Sequence, residues 1–157
     1  MKIPLTINGN KNILECRPDT SLLEVLRTQG CLSVKSGCTK GYCGSCTVLL
    51  DGNPVPSCKI PVAIVRNNEI VTLEYFSKTE EYKIIMEGFK KAGIHLCGYC
   101  DAAKVFNAYE ILCTRRNLTR EEITNHIKHL APCCTDSDTL TNGIIYALKI
   151  ANTKGMN

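Results

Sequence analysis

The sequence predicts an α+β protein of two successive units, a strand-rich domain over residues 1–76 and a four-helix bundle over 77–157. Three observations carry that expectation. Apolar residues alternate with a period of two before about residue 76 and recur at helical spacing after it. Turn residues break up the first half, whereas capping pairs and terminal glycines break up the second. The cysteines, finally, cluster once in each half, and no repeat or low-complexity segment interrupts the chain.

The elements follow in order. "KIPLTI" and "NILECR" alternate around "NGNK", which reads as a hairpin. "DTSLLEVLRTQG" reads as a short helix packed on a sheet: Ser21 and Glu24 have capping-box spacing, Leu22, Leu23 and Leu26 form an apolar stripe, and Gly30 stands at the stop. A second hairpin turns at Asp51-Gly52 within "CTVLLDGNPVPSC", and "EIVTLEYF" reads as a closing strand. In the second half, "TEEYKIIMEGFKKAG" places Tyr82, Ile85, Met86 and Phe89 on one helical face and ends at Gly93. "DAAKVFNAYEILCTRRN" repeats the pattern with Val105, Phe106, Tyr109 and Leu112. "LTREEITNHIKHL" opens on a Thr119/Glu122 capping box, and "DTLTNGIIYALKIA" makes the fourth helix.

Eleven cysteines in 157 residues is about 7% and an odd count, so disulfides cannot absorb them all. The N-terminal stretch lacks the apolar region of a signal peptide, and no segment approaches the ~20 apolar residues of a membrane span. A cytoplasmic chain is the expectation, and there clustered thiols are metal ligands more often than staples. The net charge of +4 invites an anionic partner, but the basic residues are dispersed. Pairs such as Lys90-Lys91 and Arg115-Arg116 read as solvated helix faces, and no nucleic-acid motif accompanies them.

Cys38, Cys43, Cys46 and Cys58 are spaced C-x4-C-x2-C-x11-C, whose first two intervals are those of a plant-type two-iron centre. Three ligands within nine residues require the backbone to curl around one small core. Gly37, Gly41 and Gly44 suit that curl, since glycine accepts positive φ and lets backbone N–H groups approach the sulfides. Cys58 returns beyond the hairpin to complete the shell. A four-thiolate zinc site is the competing reading, but zinc is more usually held by two short C-x2–4-C knuckles.

A second constellation joins "LCGYCDAA" (Cys97, Cys100) to "APCCTD" (Cys133, Cys134) across two expected helices. A thioredoxin-like redox pair would belong in a βαβ unit, which this half lacks, so a metal centre between helix ends is the better reading. Cys100 and Asp101 fall at a helix start, where backbone N–H groups favour negative charge. An oxidised two-iron, two-sulfide core with four thiolates carries about −2, so two of them would offset the chain's +4.

Together the two constellations resemble the iron–sulfur subunit of molybdenum hydroxylases such as xanthine dehydrogenase, aldehyde oxidoreductase and nicotinate dehydrogenase, over nearly the whole chain. The resemblance implies a plant-type ferredoxin (β-grasp) domain with one [2Fe-2S] cluster on Cys38, Cys43, Cys46 and Cys58, followed by a four-helix domain with a second [2Fe-2S] cluster. Cys97, Cys100 and Cys134 match the family's second set. The departures are local. Leu96 stands where the family has a glutamine that contacts the pterin, and Asp101-Ala102-Ala103 replaces Thr-Pro-Gly. Pro132-Cys133-Cys134 replaces Cys-Arg-Cys, so Cys133 can serve as the fourth ligand only if the chain bends at Pro132. His95 and Asp101 are the candidate substitutes for a missing thiolate, His95 being otherwise a helix-edge residue. Cys113 is expected as a small buried hydrophobe, and Cys16 and Cys31 lie outside either spacing.

No acid/base pair, Ser/His/Asp set, phosphate-cradling loop or flavin fingerprint appears, so the chain is not expected to transform a substrate by itself. The resemblance implies an electron-transfer subunit of an oxidoreductase complex, relaying electrons from a molybdopterin-binding large subunit to an FAD-binding medium subunit or another acceptor. The alternatives are a divergent single-cluster carrier or adaptor without a pterin partner, and a zinc protein.

Overall fold

The computed structural model describes residues 1–114 and 117–156, so the Arg115-Arg116 pair lies outside the described residues. Strands β1 (Lys2–Ile7) and β2 (Asn10–Glu15) form the first hairpin, β3 (Thr47–Leu50) and β4 (Asn53–Pro56) the second, and β5 (Glu69–Val71) closes the sheet. The sheet order is β2-β1-β5-β3-β4, with β5 parallel to β1 and antiparallel to β3. Both hairpins turn on two successive positive-φ residues, Asn8-Gly9 and Asp51-Gly52. That is the type I′ geometry that suits the right-handed twist of paired strands. β4 lies at one edge, where Pro54 and Pro56 are tolerated because only one side of the strand must supply N–H groups.

Helix α1 (Leu22–Thr28) is capped by the Ser21 side chain, which accepts from the Glu24 amide, and ends ahead of Gly30 at φ 83°. It covers one face of the sheet: Leu22 and Leu26 pack with Ile3, Leu5, Val48 and Ile70. The other face receives the helical half. Leu49, one residue after Val48 and therefore pointing the opposite way, belongs to the core built by helices α3 (Glu80–Lys91), α4 (Asp101–Thr114), α5 (Arg120–Ile127) and α6 (Ser137–Thr153). The Thr119/Glu122 capping box forms in full, with the Thr119 amide donating to the Glu122 carboxylate at 2.8 Å. No helix among the described residues is long and apolar enough to cross a membrane.

The expected strand over 69–76 is corrected: it stops at Val71, and Leu73–Phe76 form one helical turn, α2. Asn8 ends the strand, because its side chain accepts from the Thr72 amide and donates to the Thr72 hydroxyl, both at 2.9 Å. The turn swings Phe76 into the helical core, edge-on to Phe106 and Tyr109 at centroid distances of 5.3 and 4.9 Å.

Helices α3 and α6 meet backbone to backbone. A Cβ on Gly88 would stand 2.5 Å from the Ala147 nitrogen and 2.6 Å from the Gly143 oxygen. Alanine normally stabilises a helix interior relative to glycine by about 1 kcal/mol. Here Gly88→Ala is expected to do the reverse, destabilising by about 1–3 kcal/mol through overpacking and lowering the urea midpoint. An unchanged or raised midpoint would contradict the close approach.

Candidate metal centres

The segment between α1 and β3 is held at both ends before it reaches its cysteines. The Arg27 guanidinium donates to the Val34 carbonyl at 2.8 Å, Val34 is buried, and the Lys35 amide bonds the Ser45 carbonyl. Within that closed loop the amides of Lys40, Tyr42 and Cys43 all donate to the Cys38 sulfur, at 3.3–3.4 Å. These three hydrogen bonds, that from Cys43 first, draw the Cys38 thiol down to about 6. The Ser45 amide points at the Cys43 sulfur at 3.5 Å. Beyond the β3–β4 hairpin, the amide and hydroxyl of buried Ser57 both bond the Cys46 carbonyl, which sets Cys58 beside Cys46. Burial, and then the Cys46 thiol, push Cys58 up to about 11.

The glycines of this loop sit where side chains have no room. A Cβ on Gly37 would stand 2.5 Å from the Cys43 sulfur and 2.9 Å from the Ser45 hydroxyl. Gly44, at φ 75°, lies directly against the Ala103 methyl, and Gly41 has φ 84°. The Ser45 hydroxyl is buried yet has no hydrogen-bond partner among the described residues. Four thiols, a ring of inward amides and an orphaned hydroxyl fit a small anionic core.

The second set assembles at the entrance to α4. Cys97 and Cys133 bring their sulfurs to 3.8 Å despite the unusual Pro132-Cys133-Cys134 sequence, both residues being exposed. Cys100, buried, precedes the first residue of α4, and Cys134 faces it across a lysine. The Lys104 ammonium reaches the Cys100 sulfur at 2.8 Å and the Cys134 sulfur at 3.7 Å. The side chain is only 1% exposed. Burial works against its charge, but the bond to Cys100 and the neighbouring thiols outweigh burial and keep its pKa above the ordinary lysine value. The Tyr99 amide, and then Cys133, lower the Cys97 thiol, while Cys97 raises Cys133. Among the described residues no three His, Cys, Asp or Glu side chains gather as ligands of one ion. The thiols instead meet as Cys38 with Cys43, Cys46 with Cys58, and Cys97 with both Cys133 and Cys134. Paired thiolates match a core of two irons, each holding two protein ligands.

The two sets share a wall. Gly44 meets Ala103, Lys35 bonds the Gly98 carbonyl, and a Cβ on Gly37 would also meet the Tyr99 hydroxyl at 2.8 Å. A cavity of about 310 Å³ runs between them, with Cys43 on one side and Cys100 and Lys104 on the other.

Three expectations are revised. Cys113 is exposed, not buried, although its neighbours Ile111 and Leu112 on the same turn of α4 face the core. His95 lies in the loop after α3, not at a helix edge, and is exposed. The Asp101 carboxylate is engaged by the Gly98 amide at 2.9 Å and so stiffens the Cys97–Cys100 loop. Cys31 is buried against α1, where burial raises its pKa, and Cys16 is half-buried. Sequence reasoning missed Lys104 and Ser45. The signal for Lys104 was present: a lone charge four residues after Cys100 within an otherwise apolar "AAKVF".

Residues 5–68 match a 2Fe-2S iron–sulfur cluster binding domain and residues 72–145 a [2Fe-2S] binding domain. The chain is 36% identical over 145 residues to the xanthine dehydrogenase iron–sulfur-binding subunit of Escherichia coli O157:H7, covering 91% of each chain. It is 32% identical over 148 residues to the nicotinate dehydrogenase small FeS subunit of Eubacterium barkeri, covering 94% of each. Its fold superposes on a chain of quinoline 2-oxidoreductase from Pseudomonas putida 86 with a TM-score of 0.85 at 30% identity, over 100% of this chain and 98% of that one. With two [2Fe-2S] binding domains in series, the chain belongs to the family of iron–sulfur-binding small subunits of xanthine dehydrogenase-type molybdenum hydroxylases.

Proposed function

We propose that this chain is the electron-relaying subunit of a hydroxylase or dehydrogenase complex, taking electrons from a molybdopterin-binding large subunit and delivering them to an FAD-binding medium subunit or another acceptor. The observation that supports this reading is that thiols from both cysteine clusters come together on either side of one wall, Cys38 with Cys43 and Cys46 with Cys58 on one side and Cys97 with Cys133 on the other. In the same reading Cys38, Cys43, Cys46 and Cys58 hold one [2Fe-2S] cluster, and Cys97, Cys100, Cys133 and Cys134 hold the other. Residues 1–76 and 77–157 are the units that carry them. The eleven unbridged thiols agree with a cytoplasmic location.

Bound [2Fe-2S] cores supply one-electron carriers, and a pair of them can couple a two-electron oxidation to a distinct acceptor. The protein's own residues do the rest. The amides of Lys40, Tyr42 and Cys43 stabilise thiolate charge at Cys38 without adding a titrating group. Gly37 and Gly44 let the backbone and α4 approach the loop more closely than any side chain would allow. Lys35 and Asp101 hold the Cys97–Cys100 loop against the first one through Gly98.

Anaerobically purified protein is expected to contain four irons and four labile sulfides per chain and, when reduced, two distinct paramagnetic-resonance signals. Two irons and one signal would favour a single-cluster carrier, and colourless zinc-containing protein would sink the reading. Cys38→Ala should abolish one signal and Cys134→Ala the other, halving iron each time. Gly37→Ala drives a methyl group against the Cys43 sulfur, so it should remove the same signal as Cys38→Ala and spare the second. Full iron in that variant would refute the tight cradle. Large pterin- and flavin-containing subunits should co-purify with the native protein.

A further inference from the structure

We propose that Lys104 is the counter-charge of the second centre, an ammonium built into α4 that favours the reduced state of the core held by Cys97, Cys100, Cys133 and Cys134. The inference rests on the reading that those four thiolates hold a cluster. Its own support is geometric. Lys104 is 1% exposed, lies one helical turn after Cys100, and directs its Nζ to the Cys100 and Cys134 sulfurs at 2.8 and 3.7 Å. No carboxylate pairs with it among the described residues, so the thiols are the groups that its charge answers. A cation withdrawn from water without an anionic partner is strongly disfavoured, which makes a lysine at this position costly unless negative charge resides beside it.

The two sets solve the same electrostatic problem differently. The first surrounds its thiols with neutral amide dipoles, whereas the second brings one full positive charge from α4. Adding one electron to a [2Fe-2S] core with four thiolates takes its charge from about −2 to −3. With its ammonium placed 2.8 Å from the Cys100 sulfur, the attraction of Lys104 for the core grows by one unit of charge on reduction and stabilises the reduced form more than the oxidised one. The second centre is thereby raised in reduction potential relative to the same site with a neutral side chain. This makes it the better electron-collecting station within its own chain than its thiolates alone would be.

The test is a potentiometric titration, with dithionite as reductant and paramagnetic resonance as readout, of the native complex and of complexes carrying Lys104→Met and Lys104→Arg. In Lys104→Met the ratio of reduced to oxidised centre should fall at least tenfold at a given ambient potential for the signal that Cys134→Ala abolishes, a shift of about 59 mV per tenfold for one electron. The signal that Cys38→Ala abolishes should not move, and Lys104→Arg should stay near the native value. If Lys104→Met moves neither signal, or moves both equally, the counter-charge role is overturned while the two-cluster reading survives. If the native protein contains two irons and one signal, the two-cluster reading fails first and takes this inference with it. Should Lys104→Met lose iron, Lys104→Gln is titrated in its place. An intact second signal at the native potential in that variant overturns the proposal.

Discussion

Gly44 lies against Ala103 with no space for a methyl group, and this contact between a loop and the first turn of a helix governs the rest of the molecule. It brings the Cys43–Gly44 part of the cysteine loop against the same α4 turn that Cys100 precedes and Lys104 occupies. Moving that turn outward would separate the two sets of thiols and open the cavity between them. The sheet is therefore loaded from both sides for different purposes. Val48 faces α1 and closes a small core of its own, while Leu49 faces the helices and ties the strand-rich half to the bundle.

Electrostatics follows from that arrangement. Thiolates near a buried wall lose hydration and need donors that do not leave with the solvent. Backbone amides meet the need at the first loop, because a chain forced through positive φ at Gly41 and Gly44 turns its N–H groups inward. The second set lies on two separate segments, 97–100 and 133–134, which cannot present such a ring of consecutive amides. Its compensation comes from the Tyr99 amide and the Lys104 side chain.

Much of this was legible in the sequence because it is set by neighbours in the chain. The Asn8-Gly9 and Asp51-Gly52 turns, the Ser21 and Thr119 caps and the curled loop at 38–46 all follow from residues within a few positions of one another. What escaped depends on contacts across the fold. "EIVTLEYF" alternates well enough for a strand, but the demand of Phe106 and Tyr109 for Phe76 turns its second half into a helical turn. Cys113 fits the apolar stripe of α4 by spacing, yet the core meets that turn through Ile111 and Leu112 and leaves Cys113 exposed. Lys104 breaks the stripe visibly, but its meaning appears only when Cys134, thirty positions on, folds back to meet it.

The prolines of β4 have a consequence for assembly. An open sheet edge is ordinarily an invitation for another chain to add a strand, and the outer side of β4 withholds the donors such an addition would use at Pro54 and Pro56. That margin of the sheet is thereby guarded against main-chain pairing with copies of the same chain, so contacts made there depend on side-chain shape and chemistry.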